Sequence, residues 1–330
     1  MTAKQAAEFL MARDNFLILT HLRPDGDTIG CAAGLCRALR RVGKEAYVLE
    51  NPEATSLFTP YLEGLLARSG YEPKTVISVD IAARSLFPDN AVKYVDRVDL
   101  AIDHHPSQEF FAHETCLDEK KAACGELMYE IVQHFCQISP EIGEALYVAV
   151  STDCGCFVYS NTTAATHRVA ADLMDSGFDP YPVNRRHFRT KSFKRLKLEG
   201  LLAAGMELRD RGETALVFLT LDMLSQVGAQ ERDIEDISAF VGQVEGVKTG
   251  VTLRELEPGV CKLSLRTDPG DLNASAVCAR MGGGGHAAAH GKAPPEAGAL
   301  VHGIGGVRLD LGEVDLLGVK HTQKLLEGQH

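Results

Sequence analysis

Apolar and polar positions along the first half of the chain predict strands and helices in alternation. Four short apolar runs have the length and the branched residues of buried strands: 16–20, 45–50, 75–81 and 98–104. Apolar residues spaced three and four apart predict helices at 4–13, 28–43, 125–138 and 141–152. This alternation predicts an α/β fold, with an N-terminal doubly wound domain built on a mainly parallel sheet.

The pattern changes after about residue 185. Two β-rich runs, VKTGVTLREL and VCKLSLRT, are separated by the turn EPG and follow a polar stretch with helical character. They predict a smaller C-terminal α+β domain. The expected organisation is a catalytic domain at 1–185, a basic linker helix at 186–207 and the second domain at 208–330.

Polar side chains stand where several of these apolar runs end. Parallel strands present functional groups at their C-terminal ends, and open α/β sheets bind ligands there. Each residue alone has a simpler explanation as a turn, a helix cap or a hydrogen-bonded strand end. These explanations are less satisfactory for the whole set, because burying several polar side chains costs free energy unless each has a partner. The candidate metal ligands are His21, Asp25, Asp27, Asp80, His104 and Asp153.

Four carboxylates and two imidazoles form a donor set too hard and too anionic for a structural zinc site. The set suits two divalent cations, and the imidazoles favour manganese over magnesium. Asp80 is the best candidate for a bridge, and Gly26 is expected to let the chain turn tightly between Asp25 and Asp27. Because two metals can clamp the attacking and leaving oxygens of a phosphoryl group, the sequence predicts metal-dependent phosphoester hydrolysis.

Composition narrows the class of partner. The 330-residue chain has 45% hydrophobic and 24% charged residues and a net charge of −11. That charge argues against sustained binding of long nucleic acid, which requires neutralising many phosphates. The basic residues between 185 and 197 can steer a small polyanion or simply be solvated. The lack of a long apolar run argues against a membrane location, and nine scattered cysteines, Cys154 and Cys156 included, indicate reduced thiols in the cytoplasm and not a zinc site.

Four segments resemble the motifs of the DHH phosphoesterase family in order and rough spacing: HLRPDGD, SVD, IDHH and STDCG. GGGGHAAAHG resembles the glycine-rich motif of the DHH-associated C-terminal domain. Within the family the chain is similar to the stand-alone NrnA-like oligoribonucleases that also dephosphorylate 3′-phosphoadenosine 5′-phosphate (pAp). The resemblance implies hydrolysis of short RNA to nucleoside 5′-monophosphates and of pAp to AMP. It also implies manganese, with magnesium or cobalt as alternatives, and suggests a homodimer.

The resemblance assigns roles to individual residues. One metal would be held by His21, Asp25 and Asp80, and the other by Asp27, Asp80, His104 and Asp153. Asp103 would orient a ligand imidazole, and His105 would contact the scissile phosphate or stabilise its developing charge. Glycines let backbone N–H groups approach a phosphate. The residues expected to bind substrate phosphate are Arg266, Gly283, Gly284, Gly285 and His286.

The chain departs from the family pattern at a few positions, which leave the metal ligands intact and the choice of substrate open. They are Thr28, Cys31, Gln108, Val158 and His290. The alternative substrates are cyclic or linear dinucleotides (cyclic di-AMP, pApA) and pyrophosphate or polyphosphate. An alternative of another class is a non-catalytic nucleotide-binding sensor on the same scaffold.

Overall fold

The computed structural model describes residues 1–230, 233–234, 237–258 and 260–267, with positions 274, 277 and 299–300. The chain divides into two compact units, Met1–Thr190 and Lys191–His330. The division falls inside the basic segment. The linker helix and the exact boundaries expected from the sequence stay predictions.

The first unit contains the predicted strands and helices, but they alternate only as far as residue 48; three further strands then follow one another through 3-10 turns and loops, before four helices. Its strands are β1 (Phe16–Leu19), β2 (Ala46–Val48), β3 (Thr75–Val79), β4 (Leu100–Asp103) and β5 (Glu114–Leu117). Its helices are α1 (Ala3–Met11), α2 (Gly26–Arg41), α3 (Cys124–Gln133), α4 (Pro140–Asp153), α5 (Ala164–Met174) and α6 (Pro180–Asn184). A π-helical turn at Arg185–Arg189 follows α6.

The five strands form one parallel sheet in the order β2-β1-β3-β4-β5, which confirms the predicted parallel sheet. The next strand along the chain, β2, lies on one side of β1 within the sheet, and β3 lies on the other side of β1. The direction in which strands are added therefore reverses between β1 and β3. Ligands of such sheets bind at this switch point, outside the carboxyl ends of the strands.

Both faces of the sheet are covered, which explains why β1 is apolar at every position. Phe16 and Ile18 face a core shared with α1 to α5. Leu17 and Leu19 face a smaller core on the other side, where 3-10 turns at Arg84–Leu86 and Asp89–Arg97 lie. A strand buried on both faces reads as a continuous apolar run instead of an alternating one.

The second unit contains a mixed sheet in the order β10-β9-β8-β7-β6. Its elements are α7 (Phe193–Ala204), β6 (Glu207–Arg209), β7 (Thr214–Leu219), α8 (Leu221–Val227), β8 (Thr249–Glu257), β9 (Val260–Thr267) and β10 (Ala299–Leu300). Among the described strands of this sheet, only β7 and β8 pair in parallel. Among the described residues, every helix is too short or too polar to cross a bilayer.

Glycines on α2 allow α4 to approach closely. A Cβ on Gly30 would lie 2.8 Å from the Cβ of Ala149, and one on Gly26 would overlap the side chain of Thr152. Gly26 is the first residue of α2 and lies outside the left-handed region, so close packing, not a tight turn, requires glycine there. The contact holds Asp153, the neighbour of Thr152, near the start of α2.

The same substitution is expected to have opposite effects at two helical glycines. Gly30→Ala should lower the free energy of unfolding by about 1–3 kcal/mol, because the new methyl group overpacks the α2–α4 contact. Gly200→Ala in α7 should raise it by about 0.5–1 kcal/mol, because a Cβ there meets nothing within 4 Å and glycine weakens a helix. Thermal unfolding of both variants followed by circular dichroism tests this, and stabilisation by Gly30→Ala would contradict the packing argument.

Candidate metal centre

The carboxyl ends of β1, β3 and β4 and the C-terminus of α4 converge at one edge of the sheet. The structure brings all six predicted ligands together there. They form overlapping groups whose potential ligand atoms lie within 4.8 Å of one another. The groups are His21, Asp25 and Asp80; Asp27, His104 and Asp153; and Asp80, His104 and His105.

Asp80 lies at the centre of the cluster. Its Oδ2 is 3.7 Å from Nε2 of His21, and its Oδ1 is 3.6 Å from Nε2 of His104. The same Oδ1 is 3.4 Å from Nδ1 of His105. The two carboxylate oxygens of Asp80 therefore face different imidazoles, as a bridging ligand requires.

His104 faces the second group of ligands. Its Nε2 lies 3.8 Å from Oδ2 of Asp27 and 3.6 Å from Oδ2 of Asp153. Its Nδ1 lies 3.1 Å from the carbonyl oxygen of Lys121. A proton on Nδ1 donated to that carbonyl leaves the Nε2 lone pair directed at the carboxylates, which is the usual support of a metal-binding histidine.

His21 is oriented in the same way by its own neighbour. Its Nδ1 lies 2.8 Å from the carbonyl oxygen of Leu22, and its Nε2 lies 3.5 Å from Oδ1 of Asp25. Asp25 caps α2, because its Oδ1 accepts hydrogen bonds from the backbone N–H groups of Asp27 (3.0 Å) and Thr28 (3.2 Å). The cap fixes the carboxylate close to the His21 ring.

Asp27 is anchored at the N-terminus of α3. Its Oδ2 accepts the backbone N–H of Cys124 at 2.7 Å, and its Oδ1 accepts that of Gly125 at 2.9 Å. The thiol of Cys31 also donates to Oδ1, at 3.3 Å. The N–H groups in the first turn of a helix have no partner within the helix and stabilise a nearby negative charge. These hydrogen bonds position the Asp27 carboxylate before any cation binds.

Asp103 supports His105. Its Oδ1 is 2.8 Å from Nδ1 of His105, and its Oδ2 accepts a hydrogen bond from Nε2 of Gln108 at 2.6 Å. Gln108 also donates to the carbonyl oxygen of Ile81 at 2.9 Å. Gln108, which counts as a departure from the family motif, is thus the side chain that ties Asp103 to the segment following Asp80.

The backbone of Asp80 is strained. Its φ of 59° lies in the left-handed region, while its N–H donates to the carbonyl oxygen of Ile102 at 2.9 Å. Residues other than glycine that are held in sparsely populated conformations concentrate at functional sites.

The carboxylates repel one another in a buried setting. Burial and the charge of Asp27 raise the pKa of Asp80 well above its ordinary value. Burial and the charge of Asp25 raise the pKa of Asp27 to about 7. Desolvation by the surrounding cluster acts to raise the pKa of Asp25, but the side chain is about half exposed, and the charge and hydrogen bond of His21 outweigh that effect and lower the pKa to about 2.

This electrostatic balance fits bound cations. In the described part of the chain, the buried Oδ1 of Asp80 accepts no hydrogen bond. A buried oxygen in that state is expensive unless a charge or a donor compensates it. Oxygen-rich donors with imidazoles match hard divalent cations of the first transition row better than thiolate-seeking zinc.

The predicted substrate-binding residues belong to the second unit. Arg266 lies on β9 and donates to the hydroxyl of Ser238 from Nε (3.3 Å) and Nη2 (3.2 Å). The glycine motif lies outside the described residues, with Gly283, Gly284, Gly285, His286 and His290. Their predicted role in binding phosphate stays a prediction.

The chain is similar to known proteins over most of its length. A family model described as "DHH family, N-terminal domain" matches residues 15–150. The chain is 31% identical over 314 residues to the bifunctional oligoribonuclease and PAP phosphatase NrnA of Thermus thermophilus, covering 90% of this chain and 88% of that protein. The Bacillus subtilis protein of the same name is 26% identical over 284 residues, covering 84% and 88%. The crystal structure of an exopolyphosphatase-related protein from Bacteroides fragilis shares the fold, with a TM-score of 0.76, 24% identity and coverage of 91% of both chains.

Proposed function

The chain belongs to the DHH family, and we propose that it is a phosphoesterase that hydrolyses short oligoribonucleotides to nucleoside 5′-monophosphates and pAp to AMP. The names of the Thermus thermophilus and Bacillus subtilis relatives support these substrates. These names favour short RNA and pAp over the alternative substrates, which are cyclic or linear dinucleotides, pyrophosphate and polyphosphate. They also favour an enzyme over a non-catalytic sensor.

The observation that carries the proposal is the position of Asp80 between two groups of metal-competent side chains. His21, Asp25 and Asp80 would hold one divalent cation. The second would be held by Asp27, Asp80, His104 and Asp153. Two bound divalent cations would polarise the phosphoryl oxygens and activate water for in-line attack. Manganese is the proposed metal, since imidazoles accompany the carboxylates in both groups.

His105 and Asp103 would act on the substrate itself. With its Nδ1 hydrogen-bonded to Asp103, the imidazole presents Nε2 as its second functional atom. When both nitrogens are protonated, Nε2 can donate to a phosphate oxygen, and the carboxylate of Asp103 stabilises the resulting positive charge. A preorganised donor of this kind stabilises charge that develops in the transition state.

Substrate length follows from charge. A net charge of −11 disfavours long polyanions, so the proposed partners are short RNA and nucleotides. Arg266, Gly283, Gly284, Gly285 and His286 are the proposed contacts to the substrate phosphate. All eight described cysteines are free thiols, which supports the proposed cytoplasmic location. The homodimer stays a prediction.

A turnover panel with manganese tests the proposal. The substrates are RNA of two to ten nucleotides, pAp, cyclic di-AMP, linear pApA and pyrophosphate. We expect rapid release of monophosphates from the shortest RNAs, slower release as length increases, and conversion of pAp to AMP. Inactivity on RNA and pAp together with turnover of pyrophosphate or cyclic di-AMP would contradict the proposed substrates and retain the metal chemistry.

A further inference from the structure

The basic segment at 185–197 has two halves with different surroundings. In the second half, Lys191 and Arg195 share one carboxylate, that of Glu199, with N–O distances of 2.9 and 2.8 Å. In the first half, no described carboxylate forms an ion pair with any of the three arginines of the π-helical turn. These arginines are exposed: Arg185, Arg186 and Arg189.

The π-helical turn is held in place by His187. The Nε2 of His187 lies 2.9 Å from the hydroxyl oxygen of Tyr61, and its ring stacks on Phe58 with centroids 5.4 Å apart. Burial, with the charge of Arg186, lowers the pKa of His187 to about 4, so its ring is neutral near pH 7. The backbone is therefore fixed on one side, where the side chain of Arg186 also hydrogen-bonds Tyr61, while Arg185 and Arg189 are exposed to solvent. π-Helical turns occur often at functional sites.

The turn lies beside the loop that follows the ligand Asp153. Tyr147 contacts both: its hydroxyl accepts a hydrogen bond from Nδ2 of Asn184 at 3.1 Å, and its ring lies 6.0 Å from that of Phe157. Burial raises the pKa of the Cys156 thiol, and the positive charge of Arg189 partly offsets that rise. An unneutralised arginine thus lies near a loop that begins at a metal ligand.

The loop itself is strained. Gly155, Cys156 and Phe157 have φ values of 54°, 56° and 65°, so three successive residues adopt the left-handed conformation. A hydrogen bond of 2.7 Å from the N–H of Cys156 to the carbonyl oxygen of Ser151 holds it. Val158 at its tip is 81% exposed. Such strain at two residues other than glycine is retained mainly where the conformation serves a site.

We propose that this arginine turn (Arg185–Arg189), which lies beside the loop at 154–159, binds a second phosphate of the substrate, one that is not hydrolysed. The inference rests on the proposed function. The two proposed substrate classes share this feature: pAp and a 5′-phosphorylated dinucleotide each carry a 5′-phosphate across one ribose from the 3′-linked scissile phosphate. A guanidinium binds phosphate through two parallel hydrogen bonds, which a lone ammonium cannot form. One arginine site would therefore serve both substrates.

Arg189→Gln tests the subsite with matched pairs of compounds that differ only in the 5′-phosphate: pApA against ApA, and pAp against 3′-AMP. We expect KM for pApA and pAp to rise about tenfold, as loss of one charge-assisted hydrogen bond predicts. KM for ApA and 3′-AMP, and kcat for all four, should change by less than about twofold. Arg189→Lys should give an intermediate KM, since it keeps the charge and loses the planar fork.

Arg41→Gln is the charge-matched control, because Arg41 is exposed at the end of α2 opposite the ligand Asp27. A KM for pApA equal in the Arg189 and Arg41 variants would overturn the inference, as would an equal rise for ApA. Calorimetric titration of pAp and 3′-AMP into each variant measures the subsite without turnover. If the unmodified protein hydrolyses none of the four compounds, the proposed function fails, and this titration still decides the phosphate site.

Discussion

Replacing Asp80 with asparagine is expected to lower kcat/KM by about three orders of magnitude or more, which corresponds to about 4 kcal/mol of transition-state stabilisation. Asp80 faces His21 with one oxygen and His104 with the other, so it belongs to both groups of proposed ligands. A neutral amide offers one weak oxygen donor in place of two charged ones. Both cations should therefore bind poorly.

Asparagine is preferable to alanine at this position for a structural reason. The backbone of Asp80 is left-handed, with φ of 59°, a conformation that asparagine adopts more readily than alanine. Burial and Asp27 raise the pKa of Asp80, so removing its charge relieves repulsion in the metal-free protein. Asp80→Asn should consequently melt at the same or a higher temperature without metal, while losing activity.

Steady-state kinetics and calorimetric titration with manganese measure both consequences. Asp96→Asn is the matched control, because Asp96 is 87% exposed and pairs only with Arg84 at the surface. Exposed ion pairs contribute little to stability. The kcat/KM of Asp96→Asn should therefore stay within about twofold of the unmodified value. Unchanged turnover in Asp80→Asn would remove the metal centre from the proposed mechanism.

The sequence predicts much of this centre because parallel strands impose a simple geometry. Each of β1, β3 and β4 is apolar on both faces and ends in a polar residue, so the ends of three runs locate His21, Asp80 and His104 at one edge. The positions of the predicted strands and helices of the first unit followed from the same periodicity to within a few residues, whereas β5 and α5 were not predicted. The parallel sheet was predicted correctly for this reason; a smaller second domain of α+β character was also predicted, but the mixed pairing of its sheet was not.

Features that depend on tertiary contacts could not be predicted in this way. Asp153 was predicted as a ligand, but the contact that brings it to the centre was not: glycines on α2 let α4 approach, and the sequence shows small residues there without showing which helix they meet. Gln108 lies five residues after Asp103, and no periodicity links the two. The N–H groups that hold Asp27 come from the start of α3, and backbone donors leave no mark in the side-chain pattern.

The stability of the metal-free protein is expected to fall as the pH rises from about 4 to about 7. Asp27 has its pKa raised from 3.8 to about 7 by burial and by Asp25. A carboxyl with a raised pKa binds its proton more tightly in the folded state than in the unfolded state. Its contribution to the free energy of unfolding is therefore complete below pH 3.8 and is lost as the pH rises through 7. His187, with its pKa lowered to about 4, acts in the opposite direction. The contribution of Asp27 is therefore obtained by comparison with Asp27→Asn.

Bound manganese is expected to reverse this trend, because cations bind the deprotonated carboxylates and their affinity rises with pH. At a concentration a hundredfold above Kd, binding would stabilise the folded state by about 2.7 kcal/mol. Melting temperatures at pH 5.5 and 7.5, with chelator or with manganese, give the four values needed for each protein. Metal-dependent stabilisation that grows with pH in the unmodified protein and is smaller in Asp27→Asn would link the buried carboxylates to cation binding independently of turnover. Identical pH profiles in the two metal-free proteins would instead mean that Asp27 ionises like an exposed carboxyl, and the electrostatic argument for a cation at this position would fail.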